Sequence, residues 1–405
     1  MIRVMVVYGT RPEAIKLAPV IDAMKCSDKL EAVITVTGQH REMLDQVNQL
    51  FDIVPHHDLD VIQQRQTLVD VSTRVLNGLS RVLELEEPDA IVVQGDTTTA
   101  MVSGLAAFYK RIPVIHVEAG LRTENVYSPF PEEMNRRITS RLASLHCAPT
   151  ATARDNLTAE SVPRKAVVVT GNTVIDSLWA AAKKRVRYDD KRLASLDNHS
   201  RPVVLITSHR RESWGDRMAG IARAIARLAL GHPRTVFVLP AHRNPAVREV
   251  LLPPIRGLKN VIVVEPVPYG QFARLMARCH LVLTDSGGVQ EEAPSLGKPV
   301  LVMRDNTERP EGIRAGTAML IGTQEEAVVD AVTSLLHDQA KYDAMARAVN
   351  PYGDGNGGIR TVAAIEQFFG VGRRLSDFSP CLDGGSAPRS LRDEIGLSVP
   401  ELVLE

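Results

Sequence analysis

The sequence predicts an α/β protein made of two doubly wound parallel sheets, and three observations carry this. Short β-branched runs alternate with helical stretches along most of the chain. The ten strand candidates fall into two groups, with a charged, loop-like stretch between them. Residues able to do chemistry come after strands, which is where open α/β sheets bind ligands.

The first group of strands comprises Ile2–Val7, Ala32–Val36, Ala90–Val93, Val114–Val117 and Val167–Thr170. The second comprises Val203–Thr207, Val236–Leu239, Val261–Val264, Leu281–Thr284 and Val300–Met303. Between them, "MAGIARAIARLAL" and "EEAVVDAVTSLL" carry the 3.6-residue period of amphipathic helices. The stretch from Thr173 to Pro202 turns from helical to charged to loop-like, and the domain boundary is expected there. Residues 1–172 then form the first domain and 173–358 the second. From Val371 the pattern loosens into "SDFSPCLDGGSAPRS", so 371–405 is expected to be a loosely attached tail.

A chain of 405 residues suits two domains, and 44% hydrophobic residues can fill two cores. Lys plus Arg number 48, as do Asp plus Glu, so no global basic field favours nucleic acid. No apolar run is long enough to span a membrane, and "MIRVMVVYGT" reads as a first strand rather than a signal peptide. Cys26, Cys147, Cys279 and Cys381 lack zinc-like spacing, and a reducing, cytoplasmic setting is expected.

The candidate site residues follow in chain order. In "GTRPEAIK", Thr10 and Glu13 have capping-box spacing and Pro12 suits a first helical turn. Arg11 and Lys16 then lie near a helix start, either facing the cleft or as solvated cations. Pro19 is expected to kink this helix. Asp96 in "QGDTTTA" either caps the next helix or does catalysis. Glu118 ends the fourth strand, and Glu132 opens a helix after a Pro-rich loop. Three carboxylates near strand ends of one domain suggest acid–base work. His209 in "SHRRESWG" reads as a phosphate ligand or general acid. His242 in "PAHRNP" reads as structural, and Arg309 in "RDNTERPEG" as an anion clamp.

The stretch "TDSGGVQEEAPSLGKPVL" places Ser286, Gly287 and Gly288 where a strand gives way to a helix. Free N–H groups and the macrodipole attract anions there, and glycines admit close backbone approach. A tight structural turn is the alternative. Glu291 and Glu292 point about 100° apart on a helix. Glu292 can therefore reach a sugar beside the phosphate, whereas Glu291 is expected to be structural or solvated.

Nine segments together carry a resemblance: "GTRPEAIKLAP", "TGQHREMLDQV", "QGDTTTA", "HVEAGLRT", "SPFPEEMNR", "TGNTVIDSL", "SHRRESWG", "TDSGGVQEEAPSLGKPVLVMRDNTERPEG" and "NPYGDG". In this order, from Ile2 to about Phe369, they resemble the non-hydrolysing UDP-N-acetylglucosamine 2-epimerases. The resemblance implies a GT-B-like pair of Rossmann-type domains and a homodimer, with the last helix, near Ile359–Phe369, crossing back to complete the first domain. It implies interconversion of UDP-GlcNAc and UDP-ManNAc through elimination of UDP to 2-acetamidoglucal and its re-addition. Family catalytic roles fall on Asp96, Glu118 and Glu132, with His209 assisting. Binding roles fall on Arg11, Lys16, His209, Phe272, Ser286, Gly287, Gly288, Glu292 and Arg309. Some members bind a second UDP-GlcNAc as activator, with contacts that would match Gln39, Arg65, Glu132, Arg210 and His242. No hydride moves in such a reaction, the first turn lacks GxGxxG, and neither cofactor nor metal is expected. A hydrolysing relative, a GT-B glycosyltransferase and a non-catalytic UDP-sugar sensor are the alternatives.

Overall fold

The computed structural model describes residues 1–38, 41–63, 66–123, 125–184, 186–210 and 214–380, with backbone only at 41 and 42. Within these, thirteen strands form two sheets whose neighbours all pair in parallel. The first sheet comprises β1 (Ile2–Tyr8), β2 (Leu30–Val36), β3 (His57–Asp58), β4 (Ala90–Gln94), β5 (Val114–Val117), β6 (Leu145–Ala148) and β7 (Val167–Val169). Its order is β3-β2-β1-β4-β5-β6-β7. The second comprises β8 (Val203–Thr207), β9 (Val236–Pro240), β10 (Val261–Val264), β11 (Leu281–Thr284), β12 (Val300–Val302) and β13 (Ala318–Leu320), ordered β10-β9-β8-β11-β12-β13. The chain reverses direction across each sheet at one point, between β1 and β4 and between β8 and β11. Such switch points open a crevice at the carboxyl edge.

Alternation along the strands explains why helices cover both faces. Val4, Val6 and Tyr8 face a core with the helix Arg11–Lys25, while Met5 and Val7 face one with the helices Leu68–Glu86 and Thr98–Tyr109. The second sheet repeats this, with Val204, Ile206 and Phe237 on one face and Val203, Leu205 and Val236 on the other. All ten expected strands are present. The three additional ones are short: β3 and β13 are two- and three-residue edge strands, and β6 ("LHCA") has a histidine and a cysteine in place of a β-branched run.

The helix Arg11–Lys25 continues through Pro19, and the helix Gly357–Phe368 returns from the second domain to pack on it. A Cβ on Gly358 would lie 2.6 Å from the carbonyl oxygen of Pro19, so this crossing admits only glycine. Where the chain passes between domains, the N–H of Asn172 donates to the Tyr352 carbonyl at 2.7 Å. The Trp179 indole donates to Ser295 at 3.1 Å.

The expected loose tail is corrected over its first ten residues. Phe378 is buried, its N–H donates to the Val169 carbonyl at 2.7 Å, and Asp377 accepts from the Val169 N–H at 3.1 Å. β7 is an edge strand, and this segment pairs groups the edge would otherwise leave open. The contact is one aromatic and one carboxylate, so it leaves no periodic signature in the sequence. Residues 381–405 lie outside the described residues.

Candidate active site

The β1–α turn is built first. The buried Glu13 carboxylate accepts from the N–H groups of Gly9 (3.1 Å) and Thr10 (2.8 Å) and from the Thr97 hydroxyl (2.7 Å), joining the turns after β1 and β4. One turn further along this helix, Lys16 donates to both oxygens of Glu118 at 2.6 and 2.7 Å. Burial works against the Glu118 carboxylate, yet Lys16 overrides it and holds the group below its usual range. Burial likewise opposes the Lys16 ammonium, and Glu118 and Glu291 raise it overall, so both partners stay ionised. Glu118 adopts a left-handed backbone, φ 63°, sparsely populated for a residue with a side chain.

Asp96 follows the adjacent strand β4 and pairs with Arg136 of the helix Glu132–Leu142, whose Nε lies 3.1 Å from its Oδ2. Glu132 opens that helix four residues before Arg136 and so shares its face. Glu133 points elsewhere: fully buried, it accepts from Arg137, Arg136 and the N–H of Thr123. The buried His116 supports the turn before Asp96 through Nε2, 2.7 Å from the Gly95 carbonyl.

The second domain contributes the facing side. Glu291 accepts from Arg309 Nε and from Asn172 Nδ2, each at 2.8 Å. Burial raises its pKa despite Arg309 and Lys16. Of the two readings of Glu291, structural or solvated, the first holds: its side chain is buried beside the first domain's Lys16–Glu118 pair. Asn172 Nδ2 is also 3.5 Å from Glu118, so one amide spans the two domains' carboxylates. Arg309 further pairs with Glu308 at 3.1 Å, and Arg210 reaches Glu308 at 3.0 Å. These groups converge over Gly287, where a Cβ would meet Glu308 Oε1 at 3.0 Å and the Arg309 guanidinium at 3.3 Å.

Glu292 diverges from Glu291 as helix geometry requires. Its Oε1 accepts from the Tyr269 hydroxyl at 2.8 Å, and its Oε2 lies on the Gly288 side. Burial pushes this carboxyl up to about 7, with Lys16 and Arg11 acting weakly the other way. Ser286 precedes the short helix Gly287–Glu292, and Phe272 packs partly buried against the second domain's core.

His209 follows β8, its Nδ1 3.2 Å from the buried Asp285, and its ring stacks on His242 at 5.7 Å. His242, expected to be structural, is thus part of the same cluster. Burial and His209 push its pKa down. Gln39 and Arg65 lie outside the described residues. Sequence reasoning passed over Asp285, Asn172, Tyr269 and Glu308. Asp285 lies within the quoted "TDSGG", but an aspartate at a strand end reads as an ordinary turn residue. Among the described residues, no cluster of three or more His, Cys, Asp or Glu could hold a metal ion, and no helix is long and apolar enough to cross a membrane.

Comparison with known proteins places this geometry. Residues 22–366 match a family model described as UDP-N-acetylglucosamine 2-epimerase. The chain is 50% identical over 370 residues to the UDP-N-acetylglucosamine 2-epimerase of Yersinia pestis, covering 90% of this chain and 98% of that one. It is 49% identical over 369 residues to the enzyme of that name from Escherichia coli K12, with the same coverage. The crystal structure of UDP-GlcNAc 2-epimerase from Neisseria meningitidis bound to UDP-GlcNAc superposes with a TM-score of 0.82 at 45% identity, over 90% of this chain and all of that one. The two-domain arrangement is GT-B-like, and the chain belongs to the UDP-N-acetylglucosamine 2-epimerase family.

Proposed function

We propose that this protein interconverts UDP-GlcNAc and UDP-ManNAc without hydrolysis, by eliminating UDP to 2-acetamidoglucal, then adding UDP back at carbon 1 and a proton to the opposite face of carbon 2. The observation that carries this reading is the charged network across the domain interface. Glu118, at the end of β5, meets Glu291 and Arg309 of the other domain through Lys16 and Asn172, while Asp96, after the adjacent β4, pairs with Arg136.

The chemistry asks for such an arrangement. The hydrogen on carbon 2 is not beside a carbonyl and is barely acidic. It leaves only as the bond from carbon 1 to the phosphate oxygen breaks, which puts positive charge on the sugar and negative charge on UDP. Glu118, kept ionised by Lys16, and Asp96 with Glu132 on the same side are suited to stabilise the sugar cation and move the proton. Arg11, His209, Arg309 and the N–H groups from Ser286 to Gly288 are suited to hold the departing diphosphate. Glu292, aligned by Tyr269, is suited to accept from the ribose hydroxyls, and Phe272 to border the base. Arg210 and His242 stand at the edge of this cluster, where an activating second UDP-sugar would contact them.

A cytoplasmic homodimer belongs to the same reading. The cysteines among the described residues are unpaired, and Phe108 and Tyr109 offer exposed apolar surface for a second copy. Incubation with UDP-GlcNAc alone, followed by proton NMR, tests the reaction. UDP-ManNAc at equilibrium with substrate is expected. Free ManNAc with stoichiometric UDP would instead identify a hydrolase, and unchanged substrate a transferase or sensor.

A further inference from the structure

We propose that Asp285 is the positioning residue of His209, holding the imidazole with its proton on Nδ1 so that Nε2 is the nitrogen offered to the diphosphate. This rests on the reading above of His209 as a diphosphate ligand.

The two oxygens of Asp285 are used differently. The residue follows β11 directly and its side chain is fully buried. Oδ2 accepts from three donors of the neighbouring turn: the Ser208 hydroxyl at 3.1 Å, the His209 N–H at 2.7 Å and the Arg210 N–H at 3.0 Å. Oδ1 makes no conventional hydrogen bond and has the His209 Nδ1 at 3.2 Å. A buried carboxylate oxygen without a donor is costly, so it favours a proton on the nitrogen that faces it. Burial raises the Asp285 carboxyl, but His209 and the two N–H groups outweigh it and hold the group below its usual range, so it is an acceptor only. The His242 ring lies against the face of His209 at an interplanar angle of 20°, restricting the imidazole from another side. A histidine whose second nitrogen is fixed in this way presents a defined tautomer at the first. When UDP departs, the imidazolium can give its Nε2 proton to a phosphate oxygen. The N–H electron pair stays on Nε2, and the ring is left neutral with Nδ1–H still donated to Asp285. Re-addition returns the proton.

Asp285→Asn separates this role from a merely structural one. The three donors at Oδ2 keep the amide oxygen in place, so the turn after β8 retains its hydrogen bonds. The NH₂ group must then face His209 Nδ1 and donate to it, which moves the imidazole proton to Nε2. The experiment is ¹⁵N NMR of histidine-labelled protein, with the His209 signals assigned by their loss in His209→Gln, alongside turnover and calorimetric titration with UDP. The wild type is expected to show neutral His209 protonated at Nδ1. Asp285→Asn is expected to show it protonated at Nε2, with turnover reduced ~10²–10⁴-fold and UDP affinity changed far less. Neutral wild-type His209 protonated at Nε2 would overturn the proposal, and this readout decides even if Asp285→Asn does not fold. Wild-type turnover in an Asp285→Asn protein with the shifted tautomer would overturn it as well. Full turnover in His209→Gln would refute the diphosphate reading instead, and the tautomer measurement keeps that failure distinct.

Discussion

Glu292 carries the sharpest residue-scale consequence. Its carboxyl is pushed up to about 7 by burial, so the ligand-free protein binds a proton there that an ordinary glutamate would have lost. Ribose hydroxyls donate to a carboxylate and favour the ionised form. UDP binding should therefore release protons at and below pH of about 7, and affinity should rise with pH up to that point and level off above it. Calorimetry in buffers of different ionisation enthalpy measures the release, which Glu292→Gln should abolish. A wild type that binds UDP without proton release would contradict the ribose role. Across the cleft, Asp96→Asn, Glu118→Gln and Glu132→Gln should each reduce turnover by ~10²–10⁴-fold, with UDP affinity less affected in direct titration. The divergence of Glu291 from Glu292 was legible from helix geometry alone. That Glu291 meets Arg309 and Asn172 was not, because those partners lie 18 and 119 residues away.

At the scale of elements, alternation and β-branched runs made ten strands legible and left the edge strands β3 and β13, with β6, unread. The closing segment was misjudged for a related reason. Periodicity reports elements that bury a face, whereas 371–380 docks through Phe378, Asp377 and their contacts with Val169 and Arg164. Phe378→Ala should cost about 3 kcal/mol of stability, the scale for removing a buried aromatic ring. Denaturant unfolding measures it. An unchanged midpoint would mean that the edge of β7 is held without this segment.

For the whole molecule, two parallel sheets present their switch points to one shared cluster. Strand order explains why "GTRPEAIK", "QGDTTTA", His209 with Arg210, and "TDSGG" come together at one candidate site although they span most of the chain. Their membership was legible because each follows a strand. Their pairing depends on how the domains meet, through Asn172, Tyr352 and the returning helix Gly357–Phe368, and no local pattern encodes that. The division into 1–172 and 173–358 remains a proposal, which limited proteolysis between Thr173 and Pro202 would test. In the proposed reaction, carboxylates of the first domain exchange the carbon 2 proton while the second domain holds departing UDP. Turnover of UDP-GlcNAc in heavy water, followed by NMR and mass spectrometry, tests it most directly. The account predicts deuterium at carbon 2 in both UDP-ManNAc and recovered UDP-GlcNAc, because a protein acid exchanges with solvent between elimination and re-addition. Epimerisation that leaves protium at carbon 2 would contradict it.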